Sequence, residues 1–306
     1  MVKRIVSILI LIAVIMGCCG CQKDLRDKIV FPKDELLSGY TFETNLEMET
    51  VKESDGMISV HFHRGEMVIY GQIFIPEGEG PFPAVIISGG LFTTHYLYQG
   101  AARTFAENGI VSVIYDPTCM GEGAESDGDL LDFSPLTQAS DIEAIVSAVA
   151  ELPYVNGNDI FLWGHSMGGL ASGYVGFNNP ELIRGMILVE PAFHMNGEAR
   201  ELFPDADGIP DEVTTPIRIG GAYYRDLLKF DIYDNMSDYK RNVIIYAGTM
   251  SPSIGSDQPE VLTRADELLP SSELIFVEGT NHGFQGSPMT RVIEESVAFI
   301  LENMKT

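Results

Sequence analysis

Between residues 84 and 304 the chain alternates short apolar runs with longer amphipathic stretches, and this alternation narrows its possible folds more than any other feature. Ala84–Ile87, Ile110–Tyr115, Ile160–Trp163, Gly185–Val189, Val243–Tyr246 and Leu274–Val277 read as strands too apolar to have a solvent face. Between them Tyr98–Asn108, Pro135–Glu151, Met167–Asn178, Glu260–Leu269 and Pro288–Met304 carry the apolar spacing of helices. Repeated strand-helix units predict an α/β protein with a mainly parallel sheet and helices on both faces. Ligands of such sheets gather at the carboxyl ends of the strands. Ahead of this pattern Ile58–His63 and Met67–Ile75 alternate like a β-hairpin turning at Arg64-Gly65-Glu66. With 306 residues, 45% of them hydrophobic, the chain can bury a large core.

The beginning of the chain follows a different rule. Lys3 and Arg4 precede an apolar run, Ile5–Met16, that is too short to span a bilayer core of about 30 Å. Residues 1–17 therefore read as an export signal. Ile15-Met16-Gly17-Cys18 resembles a bacterial lipobox, which implies a lipid on Cys18 and an exported protein anchored at a membrane face. Cys21 is a weaker alternative site. Residues 18–56 read as the lipidated N-terminus and a tether, and 57–306 as the folded domain. Cys119 stands far from the other three cysteines, so no disulfide framework is expected. Removing Lys3 and Arg4 from the 19 basic residues leaves 17 against 44 acidic ones, a net charge of -27. A phosphate backbone would be repelled, which excludes nucleic acid as a partner.

The chemistry concentrates at strand ends. Gly164-His165-Ser166-Met167-Gly168 lies between a strand and a helix, the setting of a nucleophile elbow, where flanking glycines permit a strained turn that exposes a serine hydroxyl. Ser166 is the expected nucleophile. A serine needs a base, and His282 follows the last strand in Gly279-Thr280-Asn281-His282-Gly283, where a base would come in chain order. The oxyanion needs paired N–H donors, expected from Met167 and from Gly90 in Ser88-Gly89-Gly90-Leu91. Residues 193–241 are too long for a simple crossover and read as a cap insertion over the site. Asp205-Ala206-Asp207-Gly208 lacks the remaining ligands of a calcium loop, and His61 and His63, read as exposed polar positions, have no third ligand nearby, so neither metal nor cofactor is expected.

From about Met57 to Met304 the chain resembles the bacterial cinnamoyl or feruloyl esterases of the α/β-hydrolase superfamily. The likeness lies in the elbow, in Glu278-Gly279-Thr280-Asn281-His282 and in the cap phrases Ile209-Pro210-Asp211, Gly220-Gly221-Ala222-Tyr223 and Ile232-Tyr233. It implies the α/β-hydrolase fold and hydrolysis of a small-molecule or polysaccharide-linked carboxylic ester, hydroxycinnamates among them. It also implies that Glu198 and Tyr223 contact the acid part of the substrate. The family's Gly-Thr-x-Asp becomes Gly248-Thr249-Met250-Ser251, so its usual acid is missing. Glu190, ending the preceding strand, is the preferred replacement; Asp257, which looks like a helix N-cap, is the alternative. A peptidase or thioesterase on the same fold and a non-catalytic surface-binding lipoprotein are the competing readings.

Overall fold

The computed structural model describes residues 48–54, 56–214, 218–251 and 258–305. The signal segment, Cys18, Cys21 and the alternative acid Asp257 lie outside the described residues.

Strands β1 (Met48–Ser54), β2 (Met57–Arg64), β3 (Met67–Phe74), β4 (Phe82–Ser88), β5 (Val111–Tyr115), β6 (Val155–His165), β7 (Gly185–Val189), β10 (Val243–Gly248) and β11 (Ser272–Val277) form one sheet. Their order is β1-β2-β3-β5-β4-β6-β7-β10-β11. The pairs from β1 to β5 are antiparallel, and every pair from β5 through β4 to β11 is parallel. A separate two-stranded piece, β8 (Glu212–Val213) and β9 (Ile219–Gly220), lies within the insertion 193–241.

Alternate residues of each central strand enter different cores, as the two-residue side-chain period requires. Ala84, Ile86, Leu162 and Leu188 face one core, whereas Val85, Ile87, Trp163 and Val189 face the other. Helices α2 (Pro135–Ala150), α3 (Met167–Asn178) and α6 (Gln258–Leu268) cover the first face. The second is covered by α1 (Gln99–Glu107) and α7 (Ser287–Asn303). The start of α2 is fixed by a capping box: Ser134 Oγ accepts the Thr137 N–H, the Thr137 hydroxyl answers to the Ser134 N–H, and Pro135 supplies the first turn.

Two boundaries differ from the sequence reading by more than two residues. The segment Met48–Ser54, read as tether, is an edge strand paired with β2, so the sheet begins at Met48 rather than Met57. Strand β6 begins at Val155, through the polar stretch Asn156–Asp159. His61 and His63 are half-buried rather than exposed. The cap segment folds into α4 (Met195–Leu202), the β8–β9 pair and α5 (Gly221–Leu227). Asp205 caps the short turn Ala206–Gly208 by accepting the Asp207 N–H. The insertion is tied to the body where Asp226 of α5 accepts the Ser134 hydroxyl; Asp226 also pairs with Lys229 of its own segment at 2.6 Å.

Candidate active site

Gly90, Ser166, Glu190 and His282 each follow the carboxyl end of a different strand, β4, β6, β7 and β11. At the end of β6 Ser166 holds φ 57° and ψ -117°, a conformation L residues rarely adopt. Backbone bonds hold it there: its N–H donates to the Val189 carbonyl at 3.0 Å, and its carbonyl accepts from Leu170 and Ala192. The flanking glycines are a steric necessity. A Cβ at Gly164 would stand 2.5 Å from the Gly168 oxygen, and one at Gly168 would stand 2.2 Å from the Ser88 oxygen. Helix α3 starts directly behind the serine, so its first N–H groups, Met167 among them, have no intrahelical acceptor and face the same point.

His282 Nε2 lies 2.9 Å from Ser166 Oγ. On the other side of the ring, Nδ1 stands 3.5 Å from Glu190 Oε2. Among the described residues neither of those two atoms has another hydrogen-bond partner, and Glu190 is fully buried. Glu190 is itself at φ 48°, with its N–H bonded to the Tyr246 carbonyl at 2.7 Å and its Oε1 accepting the Gly248 N–H. One carboxylate oxygen is therefore fixed by the backbone of β10, which leaves the other for the imidazole. A carboxylate removed from water is stable only when paired or hydrogen-bonded, and the His282 ring is the free partner at hand. A 3.5 Å separation is looser than a formed hydrogen bond, and catalytic contacts of this kind tighten when substrate binds. In the described start of the loop after β10, Met250 donates to the Thr280 carbonyl at 2.9 Å, bracing the loop that carries His282.

The oxyanion side is equally close. A Cβ placed on Gly90 would stand 3.0 Å from Ser166 Cβ and 3.5 Å from its Oγ, so the Gly90 backbone lies against the serine. The Gly90 carbonyl is turned away by the Thr93 N–H and hydroxyl at 3.1 and 2.7 Å.

The cap residues are brought to one another. Tyr223 is 3 % exposed, its ring stacked on Phe133 at 6.3 Å and edge-on to Tyr224 at 5.1 Å. Burial, then Tyr224 and the Glu198 charge, push its phenol well above the ordinary range. Glu198, half-buried on α4, thus acts electrostatically on Tyr223 and Tyr224 alike.

Sequence reasoning missed His165, which precedes the serine. Its Nε2 lies 2.8 Å from the His282 carbonyl and its Nδ1 3.2 Å from the Tyr98 hydroxyl. The carbonyl can only accept, so Nε2 carries the hydrogen and Nδ1 accepts from Tyr98. Burial, with the nearby His282, pushes His165 down to about 3, so its ring is neutral near pH 7. It steadies the backbone of the histidine loop without competing for protons. Its partner lies 117 residues away, and no sequence signal pointed to the bond.

Residues 80–266 match the family described as Serine aminopeptidase, S33, which covers more than half of the chain. The chain belongs to this family. Among curated proteins the family member is 30% identical over 108 residues to the thiohydrolase apmlB of Arthrinium phaeospermum, a match to 35% of this chain and 34% of that protein. It is also 27% identical over 128 residues to the 2,6-dihydropseudooxynicotine hydrolase of Paenarthrobacter nicotinovorans, spanning 40% of this chain and 34% of that one. The chain thus spans about a third of the length of the curated relatives it matches. Among solved structures, Est1E of Butyrivibrio proteoclasticus with ferulic acid bound superposes with a TM-score of 0.69 at 22% identity, covering 79% of this chain and 98% of that one. The α/β hydrolase GrgF of a Penicillium species gives a TM-score of 0.67 at 20% identity, over 81% and 99% of the two chains. At such identities these likenesses speak to the fold, which is the α/β-hydrolase fold.

Proposed function

We propose that this hydrolase cleaves carboxylic esters through an acyl-enzyme on Ser166. The observation that carries the reading is the 2.9 Å approach of His282 Nε2 to Ser166 Oγ at a strained strand-to-helix turn. His282 takes the hydroxyl proton as Oγ attacks the ester carbonyl, and the N–H groups of Met167 and Gly90 receive the charge that develops on its oxygen. Glu190 holds the ring and stabilises the imidazolium, which then gives its proton to the leaving alcohol. Water, activated by the same histidine, releases the acid. Asp257, the alternative acid, takes no part in this reading.

For the acyl group we propose a hydroxycinnamoyl or similar small aryl acid, free or linked to polysaccharide. The supports are the cap phrases, the aromatic cluster of Phe133, Tyr223 and Tyr224 beside Glu198, and the superposition on a chain that binds ferulic acid. The test is a panel of methyl hydroxycinnamates, acetyl esters, long-chain acyl esters, acyl thioesters and aminoacyl amides, run beside labelling with a fluorophosphonate probe. Hydroxycinnamates should show the highest kcat/KM. A preference for thioesters or aminoacyl amides would reject the ester reading, and an unlabelled, inactive protein would favour a binding role.

We further propose that the protein is exported and held at a membrane by lipid on Cys18, from the charge, length and ending of residues 1–18. Cys18→Ser should block maturation or move the protein from the membrane to the soluble fraction. Unchanged processing and retention would reject the assignment.

A further inference from the structure

His282 follows β11, the last strand of the sheet order, whereas Ser166 follows β6, and β7 and β10 lie between them. At the usual spacing of neighbouring strands the base has to lean about 14 Å across the sheet to meet its nucleophile. The backbone bonds near His282 act locally: Met250 of the β10 loop donates to Thr280, and Phe284 donates to Asn281 at 3.2 Å. The bond from His165 reaches further. His165 ends β6, two residues after the buried Trp163, and holds the carbonyl of His282 itself at 2.8 Å.

The other nitrogen of His165 is met by Tyr98, which is 4 % exposed and set edge-on to Trp163 at 5.7 Å. Burial pushes the Tyr98 phenol up to about 12, so the hydroxyl keeps its hydrogen near pH 7. The Thr93 hydroxyl and the Gly90 N–H stand beside the same oxygen. The result is a directed chain: Tyr98 O–H donates to His165 Nδ1, and His165 Nε2–H donates to the His282 carbonyl.

We infer that Tyr98 and His165 are positioning residues that draw the histidine loop across two strands and set the His282 ring at Ser166. The inference rests on the hydrolase reading above. Because the anchor immediately precedes the nucleophile in the chain, the backbone of the base is tied to the neighbour of the serine it serves. Tyr98 acts one step back: by donating to Nδ1 it leaves the hydrogen on Nε2, where the carbonyl needs it. Turnover is sensitive to such a tie, since misplacing a reacting group by about 1 Å can cost on the order of 10²-fold.

His165→Leu keeps a side chain of similar size and removes the donor. It should lower kcat roughly ten- to a hundred-fold, with KM changed by no more than about twofold. The rate of labelling by a fluorophosphonate, which reports the activated serine rather than ester binding, should fall by a similar factor. His165→Gln can donate to the carbonyl through its amide N–H and accept from Tyr98 through its amide oxygen, so it should recover most of both losses. Tyr98→Phe should cost about fivefold in kcat in the parent and nothing further beside His165→Leu, because the hydroxyl works through the ring. Four results would each overturn the inference: kcat and labelling of His165→Leu within about twofold of the parent, equal losses in His165→Leu and His165→Gln, a loss confined to KM, or a Tyr98→Phe cost that survives in the double variant. If circular dichroism shows that His165→Leu fails to fold, His165→Asn, whose amide is too short to span both partners, takes its place with the same expected loss. A parent enzyme lacking Ser166-dependent turnover and labelling would instead overturn the hydrolase reading, and this inference with it.

Discussion

Ser166→Ala should reduce ester turnover by roughly 10⁴- to 10⁶-fold while leaving the fold intact. The size follows from what is removed. Without Oγ there is no covalent intermediate, and His282 has no hydroxyl 2.9 Å away to deprotonate. What survives is binding and the oxyanion donors acting on an unassisted water. The fold should persist because the serine is held by its own backbone through Val189, Leu170 and Ala192, and none of those bonds uses the side chain. Single-turnover kinetics with a chromogenic aryl ester, beside circular dichroism and loss of fluorophosphonate labelling, make the measurement. Retention of a tenth or more of the parent kcat would sink the proposed mechanism.

The second large effect belongs to Glu190. Glu190→Gln should cost roughly 10³- to 10⁴-fold in kcat, comparable to loss of the acid in serine proteases. The neutral amide can still accept the Gly248 N–H, so the β7–β10 junction should hold and Tm should change little. It cannot offset the imidazolium charge, and it can turn an N–H toward Nδ1, which selects the wrong tautomer. Asp257→Asn should leave kcat within a few-fold of the parent. Ser251→Asp, which restores the acid of the resembled family, should partly rescue Glu190→Gln if a carboxylate there can reach the same nitrogen. A crippled Asp257→Asn beside a near-normal Glu190→Gln would move the acid to the later loop.

The elements legible in the sequence are those whose constraints are local. The elbow announces itself because Gly164 and Gly168 are demanded by backbone contacts a few ångströms away, and the parallel strands because burial on both faces leaves only apolar residues. Strand β1 was illegible for the converse reason. Met48–Ser54 is an edge strand with glutamates and a lysine, a composition shared with solvated tether. The start of β6 was hidden by Asn156–Asp159 in the same way. Glu190 could be singled out only because Ser251 occupies the family's acid position, and what ties it to the site, one oxygen on Gly248 and the other toward His282, is tertiary. Tyr98 and His165 were out of reach altogether. The bonds from Tyr98 to His165 and from His165 to His282 join residues 67 and 117 positions apart, and neither leaves a pattern in the intervening chain.

The order of the strands carries a consequence for how this site comes into being. Gly90 follows β4, Ser166 follows β6, Glu190 follows β7, Gly248 ends β10 and His282 follows β11, and these five strands are consecutive neighbours in the sheet. No hairpin or single strand-helix unit contains even a nucleophile with its base. Parallel neighbours must be brought together across long stretches of chain, a slow kind of assembly. The proposed hydrolysis would therefore be a property of the finished sheet: a chain that has buried most of its core but has not docked its last strand lacks the histidine beside the serine.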